Sequence, residues 1–158
     1  MPELHPTALK LADRLRDAGL EIEPVELEAS TRTAADAAAA VGSELGQIVK
    51  SVVLVDGGDE PVLCLCAGDR MIDLASLGNG VRMARGSEVK EATGFAIGGV
   101  PPLGHDRPLR TVVDRSLTRF ATVWCAAGTP NAVFEVDLRQ LIAAIPDADV
   151  RDVAQEPA

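Results

Sequence analysis

Long apolar runs are missing from this 158-residue chain. No stretch approaches the roughly 18 apolar residues that a membrane-spanning helix needs, and residues 1–20 lack the basic start and apolar middle of a secretion signal. A cytoplasmic protein without a membrane partner is the expectation. Histidine is scarce, with only His5 and His105, and no serine sits in a nucleophile elbow, so a Ser-His-Asp triad is not expected. The three cysteines are odd in number, and no CxxC pair or Cys/His cluster offers metal ligands. Cys64 and Cys66, two apart in "VLCLCAG", share one face of one strand and are badly placed to bridge each other. All three cysteines read as buried thiols that pack as small hydrophobes. "GFAIGG" is neither a P-loop nor a dinucleotide fingerprint. No cofactor and no metal is implied.

Positive charge is also short. The net charge is -9, which argues against an independent nucleic-acid binder, because affinity for phosphates comes from lysine and arginine. The deficit is uneven: residues 1–49 carry four basic and nine acidic side chains, residues 50–119 nine of each, and residues 120–158 two and six. A polyanion would therefore be met through the neutral middle, weakly and with help from a partner.

What is present suits one core. Apolar residues make up 47% of the chain, and with no low-complexity linker or internal repeat, residues 1–158 read as a single domain. Pro6 opens and Gly19 closes a short amphipathic helix. "EIEPVELE" reads as an edge strand, with Pro24 tolerable only there. Thr33 and Asp36 cap the alanine-rich helix "AADAAAAVG". Asp56-Gly57-Gly58-Asp59 joins "IVKSVVLVDG" and "PVLCLCAG" as a hairpin. A short helix near Asp73, a strand "VRMA" and a helix "SEVKEAT" follow, then the strands "TVVD", "ATVWCAA" and "AVFEV". Asp137 caps "LRQLIAAI", and "VRDVA" supplies one last strand before a disordered end. Seven or eight short strands and about five helices without strict alternation predict an α+β fold on a mixed sheet.

Three places invite chemistry. Lys50 lies in "QIVKSVVLV", where the strand beyond it is apolar on both faces. It either guards the strand start with its head in water or presents its ammonium to a ligand in a cleft. Gly94–His105, "GFAIGGVPPLGH", holds four glycines and two prolines in twelve residues yet has the apolar content of a core strand. Such a segment is an irregular, buried loop, serving either as a structural plug or as a source of backbone N–H groups at Gly98 and Gly99 for a carbonyl or oxyanion. His105 at its end is a general base or merely a solvated residue. Ala126–Asn131, "AAGTPN", follows a buried strand and is a ligand loop or an ordinary turn.

Taken together, "GQIVKSVVLV", "TGFAIGGVPPLGH" and "WCAAGTPNAVFEV" resemble, in order and spacing, the YbaK family of prolyl-tRNA synthetase-associated editing domains, which act as aminoacyl-tRNA deacylases. The final "VRDVA" resembles the family's closing strand. The resemblance implies a barrel-like mixed sheet of about seven strands with flanking helices, and a pocket for the aminoacylated end of a tRNA. Lys50 falls on the family's functional lysine. Gly98 to Pro102 match its G-x-x-x-P loop, whose backbone faces the substrate carbonyl, so Lys50, Gly98 and Gly99 are the implied catalytic groups. Thr33, Val100, Pro101, Pro102, His105, Gly128 and Thr129 are the implied substrate-binding residues. The implied function is a free-standing trans-editing hydrolase for a small amino acid such as cysteine, alanine or serine on a mischarged tRNA, with that of proline one candidate. A synthetase such as prolyl-tRNA synthetase is the implied partner. The alternatives are a non-catalytic module that binds a tRNA end or a synthetase, and an esterase for another small acyl ester. The departure is at the second loop, where the cysteine-removing members resemble a glycine-lysine-arginine-glycine pattern and this chain has Gly128-Thr129-Pro130-Asn131. Two cations are gone, and Ala126 and Ala127 offer no hydroxyl, so the amino acid stays open.

Overall fold

Asp56-Gly57-Gly58-Asp59 turns the chain as its composition requires. The Asp56 carboxylate accepts the N–H groups of Gly58 and Glu60 at 2.8 and 3.0 Å, and Asp59 takes the left-handed region with φ 64°. The turn joins strand β2 (Val49–Val55) to β3 (Pro61–Ala67), antiparallel over seven pairs from Val49 with Ala67 to Val55 with Pro61. In this computed structural model, which describes residues 3–31 and 33–157, the hairpin is the centre of a five-stranded sheet. On its free side β2 pairs with β5 (Arg82–Met83) at Leu54 and Val55. On the other side β3 runs parallel to β6 (Arg110–Asp114), and β6 parallel to β9 (Asp149–Arg151). The mixed directions follow from the connections: a tight turn permits only an antiparallel pair, while the long excursion from β3 to β6 permits a parallel one.

A second sheet has the order β1-β8-β7, from β1 (Val25–Glu26), β8 (Ala132–Asp137) and β7 (Thr122–Ala126). The sheets share one apolar core, in which Val53, Leu63, Leu65 and Val113 meet Val123, Cys125, Phe134 and Val136. Burying each large side chain contributes about 1.5–3 kcal/mol. An isolated parallel bridge between Ile48 and Trp124 stitches the two sheets. Hydrogen bonding does not continue past it, so the barrel-like arrangement is open along this seam. Helix α1 (Pro6–Asp17) buries Ala8, Leu11 and Leu15; α3 (Gly86–Thr93) buries Val89; α4 (Leu138–Ala144) buries Leu138 and Leu141. Helix α2 (Ala34–Val41) buries only Ala38, because its inner face looks onto a cavity instead of the core.

The α+β architecture on a mixed sheet is as expected, with two local corrections. "EIEPVELE" contributes only Val25 and Glu26 to a ladder, directly after Pro24, which has no N–H to offer. "VRDVA" is not one strand: β9 ends at Arg151, and β10 (Ala154–Gln155) pairs with β4 (Met71–Ile72), so the chain is paired closer to its end than expected. The break is made by buried Asp114, whose Oδ1 accepts the N–H groups of Val153 and Ala154 at 2.9 and 3.0 Å.

Candidate active site

Past Ile48 the strands β2 and β7 part. The free edge of β2 is taken up again only where Ala84 N–H reaches the Val53 carbonyl at 3.1 Å. Over that gap β2 goes from buried at Val49 to half-buried at Lys50, Ser51 and Val52, and back to buried at Val53. A cavity of about 340 Å³ opens there, at the small end of the range for small-molecule sites. Buried Val49, Val53, Val89, Val100 and Cys125 line it, and exposed Met83 and Ile97 stand at its edge. Helix α2 adds a wall of Ala34, Ala37 and Val41. Its start is fixed by a reciprocal cap, Thr33 Oγ1 accepting from Asp36 N–H at 3.0 Å and the Asp36 carboxylate from Thr33 N–H at 3.2 Å, and it stops at Gly42 with φ 73°.

Among the described residues lining this cavity, Lys50 alone carries a charge. Its register opposite Cys66 puts it on the face away from the main core, and its Nζ donates to the Arg70 carbonyl at 2.6 Å. An ammonium has three donors, so this bond aims the side chain and leaves two for a ligand. The turn that supplies the carbonyl is fixed in its own right. Asp69 receives two hydrogen bonds from Arg119 at 2.8 and 3.0 Å, which hold its carboxyl below the usual range, and Arg70 reaches back to Asp69 at 3.1 Å. The thiols nearby are not nucleophiles at neutral pH: burial pushes Cys66 up to about 11 and Cys64 up to about 12, and raises Cys125.

The glycine-rich loop starts where α3 ends, at Gly94 with φ 83°. Gly98 lies on the cavity wall with φ 90°, and its N–H makes no hydrogen bond among the described residues. The Gly99 N–H, in contrast, is donated to the Ala96 carbonyl at 3.0 Å, so it closes a turn and is not a free donor. What Gly99 supplies is closeness: a Cβ there would stand 2.8 Å from Thr129 Cα. His105 Nε2 donates to the Pro101 carbonyl at 2.7 Å, and its ring stands edge-on to Phe95. Burial lowers its pKa, so it is a neutral brace for the loop.

Of the sequence-derived site residues, Lys50, Thr33, Gly98 and Val100 reach the cavity wall. Gly99, Pro101, Pro102, His105, Gly128 and Thr129 are not on it. Pro101, Pro102 and Gly128 are buried; Gly99 packs against Gly128 and Thr129 and so ties the two loops together, while His105 braces Pro101 within the first loop. Ser51, Trp124, Pro130 and the alanine face of α2 line the cavity and were not foreseen. Small alanines carry no chemical flag. Ser51 did carry one, as a hydroxyl beside Lys50 in an otherwise apolar strand.

An apolar cavity at an open sheet seam, with one cation and a glycine N–H that makes no hydrogen bond among the described residues, has the chemistry to receive a small ligand with an electron-rich oxygen. Comparison with known proteins makes this specific. The model of the aminoacyl-tRNA editing domain matches residues 28–144, and the chain belongs to that family. It is 37% identical over 125 residues to the uncharacterized protein YwhH of Bacillus subtilis (strain 168), covering 77% of this chain and 80% of that one. Among solved structures it is similar to a proposed trans-editing enzyme for prolyl tRNA synthetase, with 43% identity, 97% and 99% of the two chains covered and a TM-score of 0.90. It is also similar to the hypothetical protein APE2540, with 32% identity, 94% and 99% coverage and a TM-score of 0.82. Among the described residues, no helix is long and apolar enough to cross a membrane.

Proposed function

We propose that this protein is a free-standing hydrolase that removes a small amino acid from mischarged tRNA, with tRNA specific for proline the first candidate. The observation that supports the proposal is that one apolar cavity is lined both by Lys50 and by Gly98, whose N–H makes no hydrogen bond among the described residues. Membership of the editing-domain family and the likeness to a proposed trans-editing enzyme for prolyl tRNA synthetase support it.

An aminoacyl ester is an activated acyl group, and no protein nucleophile is needed to break it. Water adds to the carbonyl carbon, negative charge gathers on the carbonyl oxygen, and the ester bond to the terminal ribose breaks. The proton from water passes to the departing ribose oxygen. Gly98 N–H and the two spare donors of Lys50 stabilise the oxyanion, in a cavity where few waters compete. Orientation of the ester in the confined space supplies a further part of the rate. The cavity admits a small side chain, such as that of alanine, cysteine or serine. The acidic ends of the chain leave tRNA affinity to be borrowed from a synthetase, of which prolyl-tRNA synthetase is the proposed partner.

The test is to incubate the protein with a panel of mischarged tRNAs and follow ester loss, with and without prolyl-tRNA synthetase. Turnover of small aminoacyl esters is expected, and none of large ones. Absence of turnover on every member of the panel removes the hydrolase and leaves a binding module.

A further inference from the structure

Ser51 is the odd residue of the cavity. Its hydroxyl oxygen is buried and has no hydrogen-bond partner among the described residues, although buried hydroxyls are almost always paired. It lines the cavity, and strand alternation sets it with Val49 and Val53 on the core side of β2, opposite Leu65 and away from the face of Lys50. The other lining groups on that side, Val49, Val53, Val89, Val100 and Cys125, offer no polar oxygen or nitrogen in their side chains.

The polar atoms of an aminoacyl ester sort themselves against this wall. The carbonyl oxygen is an acceptor, and Lys50 and Gly98 present donors. The α-amino group is a donor and needs an acceptor. Lys50 and the Gly98 N–H cannot accept, and the Thr33 hydroxyl oxygen is held in the helix cap by the Asp36 N–H, which takes one of its two lone pairs. Thr31 also lines the cavity, just before the start of α2, but its hydroxyl is not among the buried oxygens left without a partner. Ser51 Oγ is the buried acceptor without a partner among the described side chains that line the cavity. Resting on the deacylase reading, we infer that Ser51 binds the α-amino group of the aminoacyl moiety and so sets which way the acyl group lies. With the amine on Ser51 and the carbonyl on Lys50 and Gly98, the amino-acid side chain is turned to the remaining apolar wall.

Two non-hydrolysable probes test this. Both are amides of 3′-amino-3′-deoxyadenosine, one alanyl and one propionyl, which differ in the α-amino group alone. Their affinities for wild type and Ser51→Ala are measured by calorimetry, with thermal unfolding of both proteins alongside. Wild type is expected to bind the alanyl probe at least about tenfold tighter than the propionyl probe, since an amine left without its partner in a dry site costs at least that factor. In Ser51→Ala the ratio falls to near one, and Tm is not lowered because the hydroxyl has no partner in the protein to lose. An equal ratio in the two proteins, no preference in wild type, or no binding of either probe overturns the inference. The deacylase reading is judged separately, by hydrolysis of alanyl-tRNA by wild type. Hydrolysis with an unchanged probe ratio sinks the Ser51 assignment alone, whereas a probe ratio that collapses without hydrolysis keeps Ser51 and sinks the enzyme.

Discussion

Gly99 and Thr129 are packed backbone against backbone. A Cβ on Gly99 would stand 2.8 Å from Thr129 Cα and 2.9 Å from the Gly128 carbonyl oxygen, distances that real side chains do not adopt. The two glycine-containing loops, thirty residues apart in sequence, are in this way one rigid body behind the cavity wall. Gly98 beside it differs: its φ is 90°, and a Cβ would lie an ordinary 3.7 Å from Pro130 Cγ.

Gly99→Val should therefore act on the fold. Forcing a branched side chain against fixed backbone costs on the order of 3 kcal/mol, and turnover should fall in step with the folded fraction. Gly98→Ala makes an ordinary contact with Pro130 and is penalised only by its left-handed backbone, by roughly 1–2 kcal/mol. Urea unfolding of both variants checks the order; a Gly99→Val protein as stable as wild type would contradict the packing.

His105→Gln isolates a titration. The folded-state pKa of His105 is lowered from its ordinary 6.5 because burial disfavours the charged ring, so the unfolded chain binds the proton more readily. Stability is full above about pH 6.5 and declines as the pH falls below that value toward the folded pKa. Glutamine keeps an N–H for the Pro101 carbonyl and does not titrate, so the variant should lose less Tm than wild type between pH 7 and pH 5. Parallel Tm profiles would show that His105 is not the group responsible.

Asp114→Asn should loosen the end of the chain. The buried carboxylate accepts from Val153 N–H, Ala154 N–H, Ser116 N–H and the Ser116 hydroxyl, and an amide nitrogen turned toward any of the three backbone N–H groups cannot accept from it. Hydrogen bonds to a buried charge contribute roughly 1.5–3 kcal/mol each, so a loss of about 2–4 kcal/mol in urea is expected. Faster amide exchange at Asp73, which donates to the Val153 carbonyl, should accompany it.

These residues mark how far local sequence carries. The turn at Asp56 to Asp59, the Thr33 and Asp36 cap and the start of the α4 helix at Asp137 were legible because each is decided within four or five residues by hydrogen bonds the side chains cannot avoid. Lys50 was legible as a cation in an apolar strand, and the Gly94–His105 loop as an irregular segment, which is buried from Gly99 to Leu103 but, against expectation, exposed from Ala96 to Gly98. Gly99 was not, since a glycine needed for close packing and one needed as a donor look alike until the opposing loop is known. The inward turn of His105, the split of "VRDVA" by Asp114 and the alanine wall of α2 are likewise long-range facts. Ser51 could be read only as a polar residue in a strand, because an unpaired hydroxyl is defined by its surroundings.

The reading of the site turns on Lys50, and Lys50→Met is the most direct measurement. Methionine keeps the aliphatic stem and removes the charge, so if the lysine only guarded a strand end, stability would change by at most about 1 kcal/mol and hydrolysis would persist. The account predicts the same small stability change together with a fall of at least about a hundredfold in single-turnover hydrolysis of the aminoacyl-tRNA ester, about 2.7 kcal/mol of transition-state stabilisation. A folded Lys50→Met protein that hydrolyses the ester at close to the wild-type rate would contradict it.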